Sequence, residues 1–267
     1  MVPGSFSALG AKFDPRSLSD GFTSDVLEAI YGHVKCRDEF VVYSPAELMR
    51  HAISAAETTS VRGPLIRGKR GGPFGAVTAI PYELRLKGGN VKFAEWWLRL
   101  SSPEQEIVLV GDVQSWRIVS IGVNLVDVED DPTLHGEMSA IHMACKVTGR
   151  NGWKRFLAIA TTGAPCDMCA GAFRWWRPRY IWSAAGLVDA VAAGFHEGLP
   201  PDLVKAMRSD PSAFPLDNER WVTEQRALGA HVEVGLCREE VRARLYQPYF
   251  GELQGTLYNS GPDDPTG

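Results

Sequence analysis

The chain predicts a layered α/β protein with a largely buried sheet, on three observations. Short apolar runs alternate with helical patterns in the order strand, helix, strand, helix, strand. The runs are nearly continuous in apolar residues rather than alternating with polar ones, as in strands covered on both faces. The 267 residues, 45% of them hydrophobic, suffice for a full core, and one large domain with additions accounts for the length.

In order, residues 1–43 mix Gly, Pro and Ser around a short amphipathic piece, Ser24 to His33, and read as an N-terminal extension. Ser44, Pro45 and Glu47 supply an N-cap, a first-turn proline and the acidic partner of a capping box, so a helix runs from there to about Thr59. Arg62, Arg67, Lys69 and Arg70 then sit among glycines and a proline; this is a solvated loop or, less simply, a contact for phosphate or RNA. The first strand is entered at Gly71-Gly72-Pro73-Phe74 and ends at Ile80. Residues 81–105, with a helical-looking piece around Trp96 and Trp97, read as an insertion. Ile107 to Gly111 and Trp116 to Val123 form a hairpin or two successive strands, and Asn124 ends the second.

From Thr133 the pattern turns helical, with His135 and Glu137 in the first turn and Met138, Ile141, His142 and Cys145 expected on one buried face. Phe156 to Ala160 is a buried strand, Pro165 starts a helix with Cys166 and Cys169 on one face, and Tyr180 to Ala184 is a further strand. A helix around Asn218 to Leu228 and a strand at His231 to Leu236 close the pattern, and residues 259–267 read as a flexible tail.

Lys and Arg number 28 against 32 Asp and Glu, so nothing in the overall charge draws the chain to a phosphate backbone, and nucleic acid is disfavoured as a partner. Five cysteines, two of them at metal spacing, suit a reducing compartment and make the cytoplasm the expected location. The N-terminus lacks a basic stretch followed by an apolar run, and no eighteen consecutive residues are apolar, so neither export nor a membrane span is expected.

The chemistry lies between His135 and Cys169. Thiolates are soft, anionic zinc ligands, and a helix N-terminus favours their deprotonated form. His135, Cys166 and Cys169 supply three ligands and leave a fourth position for a water acidified towards neutrality; this separates a catalytic zinc from a closed structural one. Glu137 is placed to move protons beside the metal rather than to bind it. A structural site would need a fourth ligand, and the nearest in sequence, His142 and Cys145, fit better as the buried face of their helix.

A His-x-Glu followed by a Pro-Cys-x-x-Cys resembles the cytidine deaminase-like superfamily, within it the nucleobase deaminases, over about residues 44–200. The resemblance implies a three-layer α/β/α sandwich around a mixed five-stranded sheet, and a deaminase domain over 44–258 with the insertion at 81–105. It also implies one Zn2+ per chain with a bound water or hydroxide, and a homodimer. Asn124, eleven positions before His135, stands where relatives bind the substrate base. Leu134-His135-Gly136-Glu137 is similar to fungal cytosine deaminases. Trp175-Trp176-Arg177-Pro178, the stretch Asp189 to Glu197, and Gly72-Pro73-Phe74-Gly75 look like guanine deaminases. The longer match makes Glu197 a second acidic proton shuttle and Phe74 and Trp175 pocket aromatics, with Gly136 beside the substrate. The implied activity is hydrolytic deamination of a small aminated heterocycle, guanine first. Cytosine or another pyrimidine, a triazine or a biosynthetic intermediate is the alternative, ahead of a tRNA adenosine deaminase or a non-catalytic zinc-stabilised binding protein.

Overall fold

In the computed structural model the described residues are 43–62, 65–81, 83–86, 89–92, 115–148, 158–195, 199–216 and 219–249. The N-terminal extension, the helical-looking piece around Trp96, the expected strand at Ile107 to Gly111, and Glu197 lie outside them.

Helix α1, Pro45–Glu57, begins as its capping box requires: Ser44 Oγ accepts from the Glu47 N–H while the Glu47 carboxylate accepts from the Ser44 N–H. Strand β1, Gly72–Pro81, pairs antiparallel with both β4, Trp116–Asn124, and β5, Ala158–Thr161. Strands β6, Tyr180–Ser183, and β7, His231–Val234, continue the sheet in parallel from β5. The order is β4-β1-β5-β6-β7, a mixed five-stranded sheet as the resemblance implied. The start of the 81–105 insertion forms a separate ribbon, β2 (Glu83–Leu86) against β3 (Gly89–Lys92).

Because side chains alternate across a strand, the sheet splits the core in two. Val77, Ala79, Ala158, Ala160 and Trp182 pack with Leu48, Met49, Ala52 and Ile53 of α1. Ala76, Ile80, Ile159 and Ile181 pack on the opposite side, against α3 (Gly136–Thr148), α4 (Asp167–Trp176) and α7 (Arg220–Ala227). Helix α2, Val126–Glu129, follows β4, and α5, Leu187–Ala192, follows β6. Helix α6, Pro201–Ser209, has Val204 and Met207 against Val188 and Val191 of α5. Helix α8, Arg238–Val241, continues through a wide turn, Arg242–Tyr246, that returns Leu245 and Tyr246 to the α1 side.

Strands β4 to β7 all point one way and β1 the other, because β1 is antiparallel to both neighbours. The carboxyl ends of β4 and β5 therefore share an edge with the start of β1, and at that edge α3 and α4 begin. Open α/β sheets bind ligands at such an edge. Helix α3 differs from the expected phase: His142 and Cys145 are exposed, while Glu137, Ser139, Ala140, Ile141, Met143 and Ala144 are buried. The phase is set by Gly122 in β4. A Cβ there would stand 2.2 Å from Ala140 N, so the helix backbone rests directly on the strand. This close seating turns Glu137 and the small Ala140 and Ala144 inward.

Candidate metal and active site

Two strand ends and two helix starts converge on the site. Asn124 closes β4, and its Oδ1 accepts from the Val126 N–H at 3.2 Å, which fixes the side chain at the entry to α2. Opposite it the β1 register slips: Gly72 pairs with Asn124 and Gly75 with Val123, leaving Pro73 and Phe74 bulged between them. Phe74 leaves the sheet there and meets Phe195 edge-on, ring centroids 4.7 Å apart. The backbone under this bulge presses on Gly136, where a Cβ would stand 3.0 Å from the Phe74 carbonyl oxygen. A glycine between His135 and Glu137 thus suits the close approach of β1.

His135 immediately precedes α3, and Cys166 caps α4 in extended backbone, its carbonyl accepting from the Ala170 N–H at 2.8 Å. The donor atoms of His135, Cys166 and Cys169 all lie within 4.8 Å of one another, with Cys166 Sγ 3.5 Å from His135 Nδ1. A tetrahedral zinc bound at ordinary lengths sets such donors about 3.5 to 3.8 Å apart, so one nitrogen and two sulfurs fit the ion in number, kind and spacing. A hydrogen bond from the Cys169 thiol is the main cause holding Cys166 down at about 4, with His135 adding to it against burial. Cys169 itself is pushed up, by that hydrogen bond and then by burial. The lowered value favours the thiolate form of Cys166, the form that binds a cation.

Glu137 is 5% exposed, with its carboxylate turned towards the sheet. Thr161, the last residue of β5, donates from Oγ1 to Glu137 Oε1 at 3.0 Å, and Cys169 Sγ lies 3.6 Å from Oε2. Burial pushes its carboxyl above the usual carboxylate range, and the hydrogen bonds draw it part of the way back. An acid held this way can both take and return a proton.

The remaining expected residues fall out differently. Trp175 is 85% exposed. Cys169, Phe173 and Trp176 face inward on α4, at helical spacing, and Trp175 is turned away from them, so it walls no pocket among the described residues. The Trp-x-Arg-Pro stretch acts as a helix stop: Arg177 adopts φ 56 and its N–H bonds the Phe173 carbonyl at 2.7 Å, with Pro178 next. The basic loop is tied to the protein itself. Arg62 Nε lies 3.1 Å from Glu57, Arg67 pairs with Glu129, Lys69 pairs with Asp130, and Arg70 donates to the Ser60 and Val61 carbonyls.

Two site residues escaped the sequence reading. Thr161 was legible only as a strand end. Tyr246 belongs to a C-terminal helix whose signal was present, in Val241, Leu245 and Tyr249 at helical spacing with it. Its ring stands 5.8 Å from that of Phe74, and Phe195 lies 6.3 Å away, so three aromatic rings group together at the Phe74 bulge of β1.

The chain is similar to known proteins. Residues 104–184 match the family model for the cytidine and deoxycytidylate deaminase zinc-binding region. A guanine deaminase of Bacillus subtilis (strain 168) is 40% identical over 85 residues, 32% of this chain and 54% of that protein, so the chain spans about half the length of the curated relative it matches. The solved guanine deaminase from Nitrosomonas europaea superposes over 86% of this chain and 94% of its own, with a TM-score of 0.52 at 19% identity. A further structure, in complex with 2,6-diaminopurine, covers 82% of this chain and 87% of its own, with a TM-score of 0.52 at 22% identity. Residues 104–184 thus resemble the cytidine and deoxycytidylate deaminase zinc-binding region, and the similarity beyond them runs to guanine deaminases.

Proposed function

We propose that this protein is a zinc-dependent hydrolytic deaminase of a small aminated heterocycle, and that the heterocycle is guanine, converted with water to xanthine and ammonia. One observation carries the reading: the buried Glu137 carboxylate, held by Thr161, stands beside the three converging donors His135, Cys166 and Cys169. A purely structural metal site has no use for such an acid. When bound, zinc supplies the Lewis acidity that brings a water into nucleophilic range near neutral pH.

The chain's own residues do the rest. Glu137 takes one proton as water adds to the amino-bearing ring carbon and passes it to the adjacent ring nitrogen; it then takes the proton of the added hydroxyl and gives it to the amine as the C–N bond breaks, leaving a keto group and ammonia. Asn124 orients the ring by hydrogen bonds from its side-chain amide, and Phe74 offers an apolar edge to a flat substrate. Glu197 serves as a second proton shuttle for the amino group on C2 of guanine. We further read the protein as a cytoplasmic homodimer whose catalytic domain spans about 44–258. The similarity to guanine deaminases supports guanine, and Leu134-His135-Gly136-Glu137 favours cytosine as the second reading.

The test is ammonia release by the zinc-loaded full chain over guanine, guanosine, cytosine, adenine and aminotriazines. Turnover of guanine above all others is expected. Preference for cytosine would move the assignment to the second reading, and silence on every compound would sink both.

A further inference from the structure

Among the described residues, the buried hydroxyl of Tyr246 has no hydrogen-bond partner. Tyr246 is 3% exposed. Leaving a hydroxyl unpaired in the interior costs about 1–3 kcal/mol, so an orphan of this kind calls for an explanation.

Its position locates it. A Cβ built on Gly163 would stand 3.1 Å from Tyr246 Oη and 3.1 Å from Phe74 Cδ1, so the hydroxyl and the Phe74 edge meet over the backbone that leaves β5. The same Gly163 has its carbonyl 3.1 Å from Thr161 Oγ1, the group that holds Glu137. The hydroxyl thus stands over the Gly163 backbone, whose carbonyl lies beside the same Thr161 hydroxyl that meets Glu137.

The protein fastens this residue firmly. The wide turn Arg242–Tyr246 brings two successive residues inward, Leu245 at 0% and Tyr246 at 3% exposure; such turns recur at functional sites. Arg244 bridges Glu57 of α1 and Glu240, both at 2.6 Å. Arg238 holds the buried Asp189 of α5 with two hydrogen bonds, at 2.9 and 2.8 Å. Burial pushes the phenol well above its ordinary value, with Asp189, Glu137 and Glu219 adding to the shift, so the group stays a neutral hydroxyl that can donate as well as accept.

We infer that Tyr246 is a substrate-positioning residue: its hydroxyl hydrogen-bonds a ring nitrogen or keto oxygen at the polar edge of a planar heterocycle, while its ring and those of Phe74 and Phe195 form the apolar wall beside it. The inference rests on the deaminase reading and adds the C-terminal helix to the site. Substrate contacts then come from both ends of the chain's core, from β1 and from the wide turn that follows α8.

The variant is Tyr246→Phe, which deletes one oxygen and leaves the ring packing in place. It is compared with the wild type as zinc-loaded full chain, by calorimetric titration with guanine, cytosine and 8-azaguanine and by steady-state kinetics on whichever compound is turned over. A loss of about three- to tenfold in affinity, matched by a rise in KM with kcat changed less than twofold and an unchanged or raised thermal midpoint, is expected. Equal affinity and KM in the two proteins would overturn the inference while leaving the deaminase reading intact. A fall in kcat alone would also overturn it, since that pattern belongs to the proton-transfer machinery. Failure of the wild type to bind any of the three compounds would overturn the nucleobase reading, and this inference with it.

Discussion

Thr161 Oγ1 donates to Glu137 Oε1 across 3.0 Å, joining the last residue of a central strand to the first turn of the helix that follows His135. The bond fixes a buried acid whose other oxygen lies 3.6 Å from Cys169 Sγ. Replacing Glu137 with Gln keeps the shape and removes the proton carrier. Turnover should fall about a thousandfold or more while zinc content, measured by atomic absorption, stays at the wild-type level. Loss of zinc instead would make Glu137 a ligand. Thr161→Val should retain zinc and lower kcat by about tenfold, the scale of one hydrogen bond to a charged group.

Metal removal should act on the fold as well as on the rate. His135 precedes α3 while Cys166 and Cys169 lie at the start of α4, so one ion ties two helix starts together. Stripping zinc with a chelator should abolish activity and lower the thermal midpoint, and added zinc should restore both. Cys169→Ser should reproduce the stripped state. Identical midpoints with and without zinc would mean that the three donors do not hold the ion.

Backbone contact in the core separates two glycines. A Cβ at Gly122 would fall 2.2 Å from Ala140 N and 2.3 Å from the Gly136 carbonyl oxygen, so Gly122→Ala must push α3 off the sheet. Urea denaturation should show a loss of about 3 kcal/mol or more, and activity should fall because Glu137 moves with the helix. Gly171, inside α4, meets nothing within 4 Å at its Cβ position. Gly171→Ala should therefore stabilise by about 0.5–1 kcal/mol with kinetics unchanged.

Glu197 follows Phe195, whose ring rests on Phe74 and stacks 5.8 Å from that of Tyr249. As a second proton shuttle it predicts that Glu197→Gln lowers kcat on guanine by about a hundredfold or more with zinc content unaltered. A variant that turns guanine over at the wild-type rate would reduce Glu197 to a solvent-facing acid.

The proposed reaction type is legible in the sequence because its residues are constrained locally. A metal needs soft anionic donors one helical turn apart, an imidazole, and an acid two residues from it, and no folding is needed to see His135, Glu137, Cys166 and Cys169 at those spacings. The capping box at Ser44 and Glu47 and the apolar strands are local in the same way, which is why the layered fold could be read ahead of the structure. Facing is not local. His142 and Cys145 point to solvent because Gly122, in another strand, lets α3 seat at one particular phase. Trp175 points outward because Cys169, Phe173 and Trp176 already occupy the inner side of α4. Tyr246 reaches the site because Arg238 and Arg244 find acids in α5 and α1, remote in sequence, that hold its turn in place. Sequence spacing by itself determined which atoms can do the chemistry; only the tertiary contacts decided which side chains face it, since those contacts are made between residues that the chain brings together only when it folds.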